Sequence, residues 1–188
     1  MNKIIKIIVL QLSVLLISLP IYAKSASLVS SNEQSMQLSF PMGKVIDKNK
    51  FAEILKNKAL TSKAYENEFC VGIIDDEEQA MTFGALDYRI YKNKVAIDQV
   101  IFTGAFKSVA IEYDNLNFTS QTNELALKRL KKVEVFSNEE KGVLIDRISQ
   151  KKYNYSKSYS IRRLNHDDLL HVYFANGKLI GLNYIVQC

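Results

Sequence analysis

The chain is poor in the residues from which catalytic and metal sites are usually built. Its 188 residues include two histidines, two cysteines, two prolines and no tryptophan. No Gly-x-Ser-x-Gly elbow marks a hydrolase nucleophile, and no HExxH pattern or similar spacing supplies three metal ligands. The contiguous acids from Asp75 to Glu78 lack the alternating oxygen ligands and the glycine of a calcium loop. The sequence therefore predicts no metal, no cofactor and no familiar catalytic site.

The two histidines leave one catalytic alternative open. His166-Asp167-Asp168 resembles a base followed by its orienting carboxylate, and a dispersed active site near His166 would make the chain a periplasmic enzyme. The other interpretation is a polar turn before a strand. His166 and His171 lie five residues apart, so they point to opposite faces of an extended strand and form no shared site. We favour the polar turn.

Only one long apolar run occurs, and it lies at the N-terminus. Lys3 and Lys6 precede a nearly continuous apolar run from Ile7 to Tyr22, and Ala23 supplies the small residue of a cleavage site. This order predicts a secretory signal peptide over residues 1–23. No later stretch is long and apolar enough to cross a bilayer. We therefore expect a soluble periplasmic or secreted protein without a stable membrane span after signal removal.

The net charge bears on the class of partner, and the hydrophobic content bears on whether the chain folds. The formal net charge of +5 includes two lysines of the signal peptide, so the mature chain carries about +3. This mildly basic balance does not by itself indicate a nucleic-acid partner, and the predicted export argues against one. The hydrophobic content of 47% is inflated by the signal peptide, but the remainder is still too rich in Ile, Val, Leu, Phe and Tyr to be disordered.

The two cysteines, Cys70 and Cys188, predict one disulfide bond. An even number of cysteines in an oxidising compartment suggests pairing, and two allow a single intramolecular bond. Closing a loop of roughly 120 residues would stabilise the fold by on the order of 4 to 5 kcal/mol. The alternative is a buried free thiol at Cys70 and an exposed one at Cys188.

Periodicity and turn signals predict a flexible segment over residues 24–40 and a single domain over residues 41–188. A helix capped by Asp47 is predicted to end near Leu60 to Ser62, and a second helix is predicted from Thr122 to about Lys132. Strand pairs are predicted at Leu86–Tyr91 with Val95–Phe102, at Val109–Tyr113 with Leu116–Phe118, and at Leu169–Ala175 with Lys178–Val186. Residues 133–148 fit either strands or a capped helix, and we favour strands. Short turns between consecutive strands predict an α+β fold, a mainly antiparallel sheet with one or two packed helices.

A basic, tyrosine-rich segment from Lys151 to Arg163 is the candidate surface for partner binding. It holds five positive charges, three tyrosines and no acid, and its strict alternation predicts one strand. Tyrosines on one strand face offer flat, amphipathic contact area of the kind that protein interfaces use. The candidate partner-binding residues are Tyr153, Tyr155, Lys157, Tyr159, Arg162 and Arg163. The alternative is that these tyrosines are half-buried in a sheet and the lysines are solvated.

These features favour an exported, soluble, non-catalytic protein that binds a macromolecular partner. The partner would be another protein or an envelope component, and an inhibitor or immunity-type protein fits this description. Two alternatives remain: the periplasmic enzyme with a site near His166, and a carrier that holds a small ligand in a cavity between the sheet and the helices. A deep pocket at His166 would favour the enzyme, and a closed apolar cavity would favour the carrier.

Overall fold

The computed structural model describes residues 39–56, 60–66, 78–114, 116–138 and 140–186. Most of these residues form strands: β1 (Ser39–Pro41), β2 (Val45–Asp47), β3 (Lys63–Ala64), β4 (Glu78–Thr82), β5 (Leu86–Tyr91), β6 (Lys94–Ile101), β7 (Ala110–Tyr113), β8 (Leu116–Phe118), β9 (Val133–Asn138), β10 (Gly142–Ile145), β11 (Lys152–Tyr155), β12 (Lys157–Arg163), β13 (Asp168–Ala175) and β14 (Lys178–Val186). One α-helix, α1 (Lys48–Leu55), and two short 3₁₀ helices (Gly104–Phe106 and Glu124–Arg129) join them. The predicted α+β fold, mainly antiparallel, is confirmed.

One large sheet organises the described residues. Eight strands follow the order β3-β4-β5-β6-β14-β13-β12-β9, and β2 pairs with β6 as a ninth. Every pairing in this sheet is antiparallel. Two smaller sheets also occur among the described residues: β1-β7-β8, in which β1 and β7 are parallel, and the hairpin β10-β11.

The inner face of the large sheet carries the core. Tyr159, Val172, Leu182, Val100 and Leu86 lie directly opposite one another on consecutive strands. The last four are fully buried, and each such side chain contributes roughly 1.5–3 kcal/mol relative to remaining exposed. Because successive side chains of a strand point to opposite faces, the residues between these positions form a second, outer face.

The predicted hairpins are confirmed, because their turns are determined locally. Asn176 and Gly177 connect β13 to β14 with φ angles of 50° and 73°, the positive values that a tight two-residue turn requires at both positions. β5 and β6 are joined after Tyr91, where Lys92 also has a positive φ. The pair β7 and β8 is confirmed as well, and the ambiguous region after residue 132 forms strands β9 and β10.

The predicted helices are confirmed only in part. Asp47 caps α1, since its Oδ1 accepts a hydrogen bond of 2.9 Å from the Asn49 N–H, but the helix ends at Leu55 rather than near residue 60. The second helix predicted over residues 122–132 is present but shorter and of another type: Glu124–Arg129 is a 3₁₀ helix. Only Leu127 of that helix is buried, and Leu130 is already extended, so too few apolar contacts support a longer α-helix.

The prediction of one tyrosine-rich strand is wrong, because the chain breaks at Ser156. Residues before Ser156 form β11, which pairs with β10, whereas residues after it form β12 within the large sheet. The Ser156 N–H donates to the Phe174 carbonyl at 2.9 Å, which directs the chain onto the edge of β13. The period of two continues through the break, so the sequence pattern does not reveal it.

Several predictions fall on residues that the structure does not describe. The signal peptide, Cys70, Cys188 and most of the predicted flexible segment lie outside the described residues, so these stay predictions. The described part begins within the predicted flexible segment: Ser39 and Phe40 belong to β1, and the Phe40 side chain is fully buried.

Candidate functional site

The tyrosines of β11 point towards the large sheet rather than away from it. The Tyr153 hydroxyl is hydrogen-bonded to the Thr103 hydroxyl at 3.1 Å. The Tyr155 ring packs against Tyr173 of β13, with 4.8 Å between ring centroids. Asn154 and Lys152, on the opposite face of the β10-β11 hairpin, are the exposed residues of this strand.

The candidate residues of β12 lie elsewhere and are paired with acids. Tyr159 belongs to the inner face, where its ring meets Phe174 edge-on and its hydroxyl donates to Glu124 at 2.8 Å. Glu124 also binds Lys157 at 3.0 Å. The two arginines are paired too, Arg162 with Glu134 and Arg163 with Asp168. The structure therefore does not bring the six candidate residues together on one surface, and their partner-binding role stays a prediction.

The His166-Asp167-Asp168 group extends from the turn that follows β12 to the first residue of β13. The His166 side chain is 56% exposed, and its Nδ1 lies 3.9 Å from Asp168 Oδ1. Asp168 is buried and accepts hydrogen bonds from the Arg163 guanidinium and the Tyr184 hydroxyl. These hydrogen bonds hold the β12–β13 connection against β14, so Asp168 has a structural role.

A row of polar side chains crosses the outer face of the large sheet. Direct pairings place one residue from each of six consecutive strands opposite the next: Ser160, His171, Asn183, Gln99, Asp87 and Thr82. We call these six residues the polar row. Neighbouring strands lie about 4.8 Å apart, so the row spans roughly 24 Å. Strands with one face in the core usually alternate apolar and polar residues, so polar residues on the outer face are expected. The additional feature here is that amide, hydroxyl, imidazole and carboxyl groups lie directly opposite one another on consecutive strands.

Hydrogen bonds link two neighbouring pairs of the polar row, Ser160 with His171 and Gln99 with Asp87. The Ser160 hydroxyl lies 3.2 Å from His171 Nδ1 and accepts from the Asn138 amide at 2.9 Å. At the other end, the Gln99 amide donates to Asp87 Oδ2 at 3.2 Å. His171, Asn183 and Gln99 remain partly exposed, whereas Asp87 is buried. The side chains in the middle of the row are therefore accessible from solvent.

The row opens into a small cleft beside β5, β6 and β14. Its volume is about 80 Å³, and Asp87, Gln99 and Asn183 of the polar row line it together with Tyr65, Arg89, Asp98, Arg147, Tyr184, Ile185 and Val186. A β-bulge explains why two neighbours on β6 point into it. Asp87 pairs with Gln99 and Tyr88 with Ile97, so Asp98 is the extra residue of the bulge.

Two arginines balance the carboxylates of the cleft. Arg89 binds Asp98 at 2.9 Å and Glu78 at 2.9 Å. The Nε of Arg147 donates to Asp87 Oδ2 at 2.6 Å, and its guanidinium carbon lies 4.2 Å from the centre of the Tyr65 ring. The Arg147 side chain is 44% exposed, so it forms the open wall of the cleft.

Burial shifts the titration of these carboxyl groups. Desolvation raises the pKa of Asp98 to about 6, against the opposing effect of Arg89 and with a further increase from the charge of Asp87. The pKa of Asp87 is also raised, mainly by burial, and Arg147 opposes the shift. Burial lowers the pKa of His171, so its neutral imidazole is favoured. The charges of the cleft are therefore offset by the pairing of Arg89 with Asp98 and of Arg147 with Asp87.

A close backbone contact positions Arg147. The loop after β10 is held by Asp146, whose Oδ1 accepts from the Ile148 and Ser149 N–H groups at 3.0 and 2.8 Å. The Arg147 N–H donates to the Gly84 carbonyl at 3.0 Å. Gly84 has a φ of +89°, and a Cβ there would lie 2.6 Å from Asp146 Oδ1. Only glycine permits this approach, which brings the arginine over Asp87.

An apolar groove lies on the other side of the molecule, beside α1. Its volume is about 280 Å³, and its apolar lining includes Phe51, Leu55, Phe83 and Ile90, with Lys48 near its rim. The groove is open rather than closed, so it is not the enclosed cavity that a carrier would favour.

Sequence reasoning missed the cleft because its residues are ordinary members of amphipathic strands. Asp87, Asp98 and Gln99 occur in segments that were correctly predicted to be strands, yet the sequence does not show which strands are neighbours. The one available signal was a pair of acids at strand positions, since Asp is depleted in strands.

Comparisons with protein-family models, curated proteins and solved structures return no match for this chain. Within the described residues, no group of three or more His, Cys, Asp or Glu side chains is arranged to hold a metal ion. The same part of the chain contains no helix that is both long and apolar enough to cross a membrane.

Proposed function

We propose that this chain is an exported, non-catalytic binding protein that holds a hydroxyl-rich, glycan-like segment of an envelope component on its outer face. The polar row and its cleft support this proposal, and the observation that carries it is the register of Ser160, His171, Asn183, Gln99 and Asp87. Burying polar groups in a sheet face is unfavourable unless they are satisfied. The members of the row that remain exposed can form hydrogen bonds with a ligand, and the proposal assigns them this role.

The chemistry of the cleft favours an uncharged ligand with both donors and acceptors. The amides of Gln99 and Asn183 can each donate and accept hydrogen bonds, as hydroxyl groups do. The carboxylates are paired with Arg89 and Arg147, so neither an anion nor a cation finds strong electrostatic preference. The three partly exposed members, His171, Asn183 and Gln99, lie on three consecutive strands, so they offer a short straight line of contacts to an extended ligand.

Binding of soluble oligosaccharides tests the proposal directly. The exported protein, labelled with ¹⁵N, is titrated with chitotetraose, maltotetraose and glycan strands released from the envelope, and the side-chain amide signals of Gln99 and Asn183 are followed. We expect at least one of these ligands to shift both signals. Asn183→Ala should weaken binding by roughly tenfold, because it removes about two hydrogen bonds to the ligand.

Asn154→Ala is the matched control. Asn154 is an exposed amide on the solvent side of the β10-β11 hairpin, so its removal should leave binding unchanged. If no oligosaccharide shifts the two amide signals, or if both variants bind equally well, the proposed site is wrong. A protein partner of the inhibitor or immunity type would then be the remaining binding hypothesis.

A second candidate function is acid–base catalysis on the same class of ligand. Asp98, with a pKa near 6, and Asp87 are two carboxyl groups in one cleft, and glycoside hydrolysis uses two carboxyl groups, one protonated as the acid and one ionised. Release of reducing ends from a bound oligosaccharide, abolished by Asp98→Asn, would establish the enzyme. Binding without turnover would support the non-catalytic proposal.

A further inference from the structure

Strand β9 ends the large sheet and exposes apolar side chains on both faces. Among the described residues, β12 is its only partner strand. Val135 is 40% exposed on the inner face, and Phe136 is 45% exposed on the outer face. Proteins normally protect such edges with charges, proline or bulges, because an unpaired edge readily accepts another strand. The six residues of β9 contain no proline, and their register with β12 is regular.

The ladder with β12 shows which backbone groups of β9 point away from the sheet. The Leu164 N–H donates to the Lys132 carbonyl at 3.1 Å, and these residues continue the register of β9 with β12. In an antiparallel ladder, residues alternate between those that bond to the partner strand and those that do not. Glu134 and Phe136 therefore bond to β12, whereas the N–H and C=O groups of Val135 and Ser137 point outwards.

The sequence of this edge is complementary to itself. When two copies are placed antiparallel with Phe136 opposite Phe136, the outward-pointing Val135 of each copy lies opposite Ser137 of the other. Lys132 and Glu140 flank β9 just outside its two ends, and both side chains are exposed, so the same register brings them towards each other at both ends of the pair. The centre thus joins two aromatic rings as a favourable cross-strand pair, and opposite charges face each other beyond each end of the ladder.

We propose that β9 pairs with β9 of a second copy of this chain, forming a two-fold symmetric dimer with one continuous sheet. A two-fold axis at Phe136 satisfies the outward backbone groups of both copies, and such isologous pairing closes after two subunits. Each Phe136 ring also has the guanidinium of Arg162 5.5 Å from its centre, so a cation flanks the aromatic pair.

The dimer joins the two outer faces end to end. Phe136 lies directly opposite Ser160, the first residue of the polar row, so the rows of the two copies become collinear across the axis. If the row binds glycan as proposed above, the dimer doubles the length available to one extended ligand. This consequence rests on the proposed function, but the pairing of the two β9 strands does not. Linking two sites in this way raises avidity without any new type of contact.

Sedimentation equilibrium of the exported protein without ligand tests the pairing alone. We expect a reversible dimer, and we expect Val135→Pro to shift it to monomer. The Val135 N–H points away from β12, so the substitution removes a dimer hydrogen bond from each copy without removing one from the sheet. Its melting temperature, measured where both proteins are monomeric, should stay close to that of the wild type.

A charge exchange tests the register. Lys132→Glu or Glu140→Lys should each raise the dimer dissociation constant about tenfold, because both ends then carry like charges. The double variant K132E/E140K should restore the wild-type dissociation constant. A wild-type protein that stays monomeric at millimolar concentration overturns the proposal, as does a dimer that Val135→Pro leaves intact. Glycan binding by a monomer would leave the proposed function standing while removing the dimer.

Discussion

At the scale of single residues, Asp98 is a carboxyl group whose titration is altered by burial. Its pKa of about 6 lies well above the ordinary value near 3.9, so the folded protein favours the protonated carboxyl. The stabilisation of the folded state by the protonated Asp98 carboxyl is complete below about pH 4 and is lost as the pH rises through 6. A shift of two pKa units corresponds to about 3 kcal/mol of unfolding free energy.

We therefore expect Asp98 to titrate near pH 6 in a carboxyl ¹³C NMR experiment. The contribution of Asp98 to the free energy of unfolding should fall between pH 4 and pH 7, whereas the lowered pKa of His171 adds stability over part of this range. Asp98→Asn should remove the fall that Asp98 causes, since an amide does not ionise. A further fall should remain, because the pKa of Asp87 is raised too. Asp167→Asn, at an exposed position, serves as the control and should keep the full pH dependence. An Asp98 pKa near 4 would contradict the burial described for this cleft.

At the scale of elements, the β10-β11 hairpin depends on a glycine in the strand beneath it. Leu144 packs over Gly181 of β14, where a Cβ would lie 2.4 Å from Leu144 Cδ1 and 3.0 Å from the Val100 carbonyl oxygen. Gly181→Ala should lower the free energy of unfolding by about 1–3 kcal/mol, as overpacking does in well-filled cores. Urea denaturation measures this change.

A double-mutant cycle shows whether the hairpin causes the effect. In a Leu144→Ala background the side chain that meets the new methyl group is shortened, so Gly181→Ala should then cost less than in the wild type. Equal costs in both backgrounds would mean that the hairpin does not pack on β14 as described.

The secondary-structure elements that are determined by their own residues could be predicted from the sequence. Features that depend on contacts with distant strands could not. Asn176 and Gly177 specify a turn by their own backbone preferences, and Asp47 specifies a helix start, so both are visible in the sequence. The break at Ser156 depends on a hydrogen bond to Phe174, eighteen residues further along the chain. The polar row is harder still, because it exists only when six strands adopt one register.

At the scale of the whole molecule, export and the disulfide bond are linked predictions. The charged start and apolar run of residues 1–23 predict cleavage near Lys24, and only an oxidising compartment would favour a bond between Cys70 and Cys188. We expect N-terminal sequencing of the natively produced protein to begin near Lys24, and thiol titration under denaturing conditions to find no free thiol.

Reduction should then destabilise the exported protein. Opening a loop of roughly 120 residues should lower the free energy of unfolding by on the order of 4 to 5 kcal/mol on the chain-entropy model. Cys188→Ser tests the bond without a reductant, and it should lower the melting temperature as much as reduction lowers that of the wild type. Dithiothreitol should have no further effect on this variant, because one cysteine alone has no partner. A retained Met1 in the cytoplasm, or two titratable thiols in the exported chain, would contradict the linked predictions.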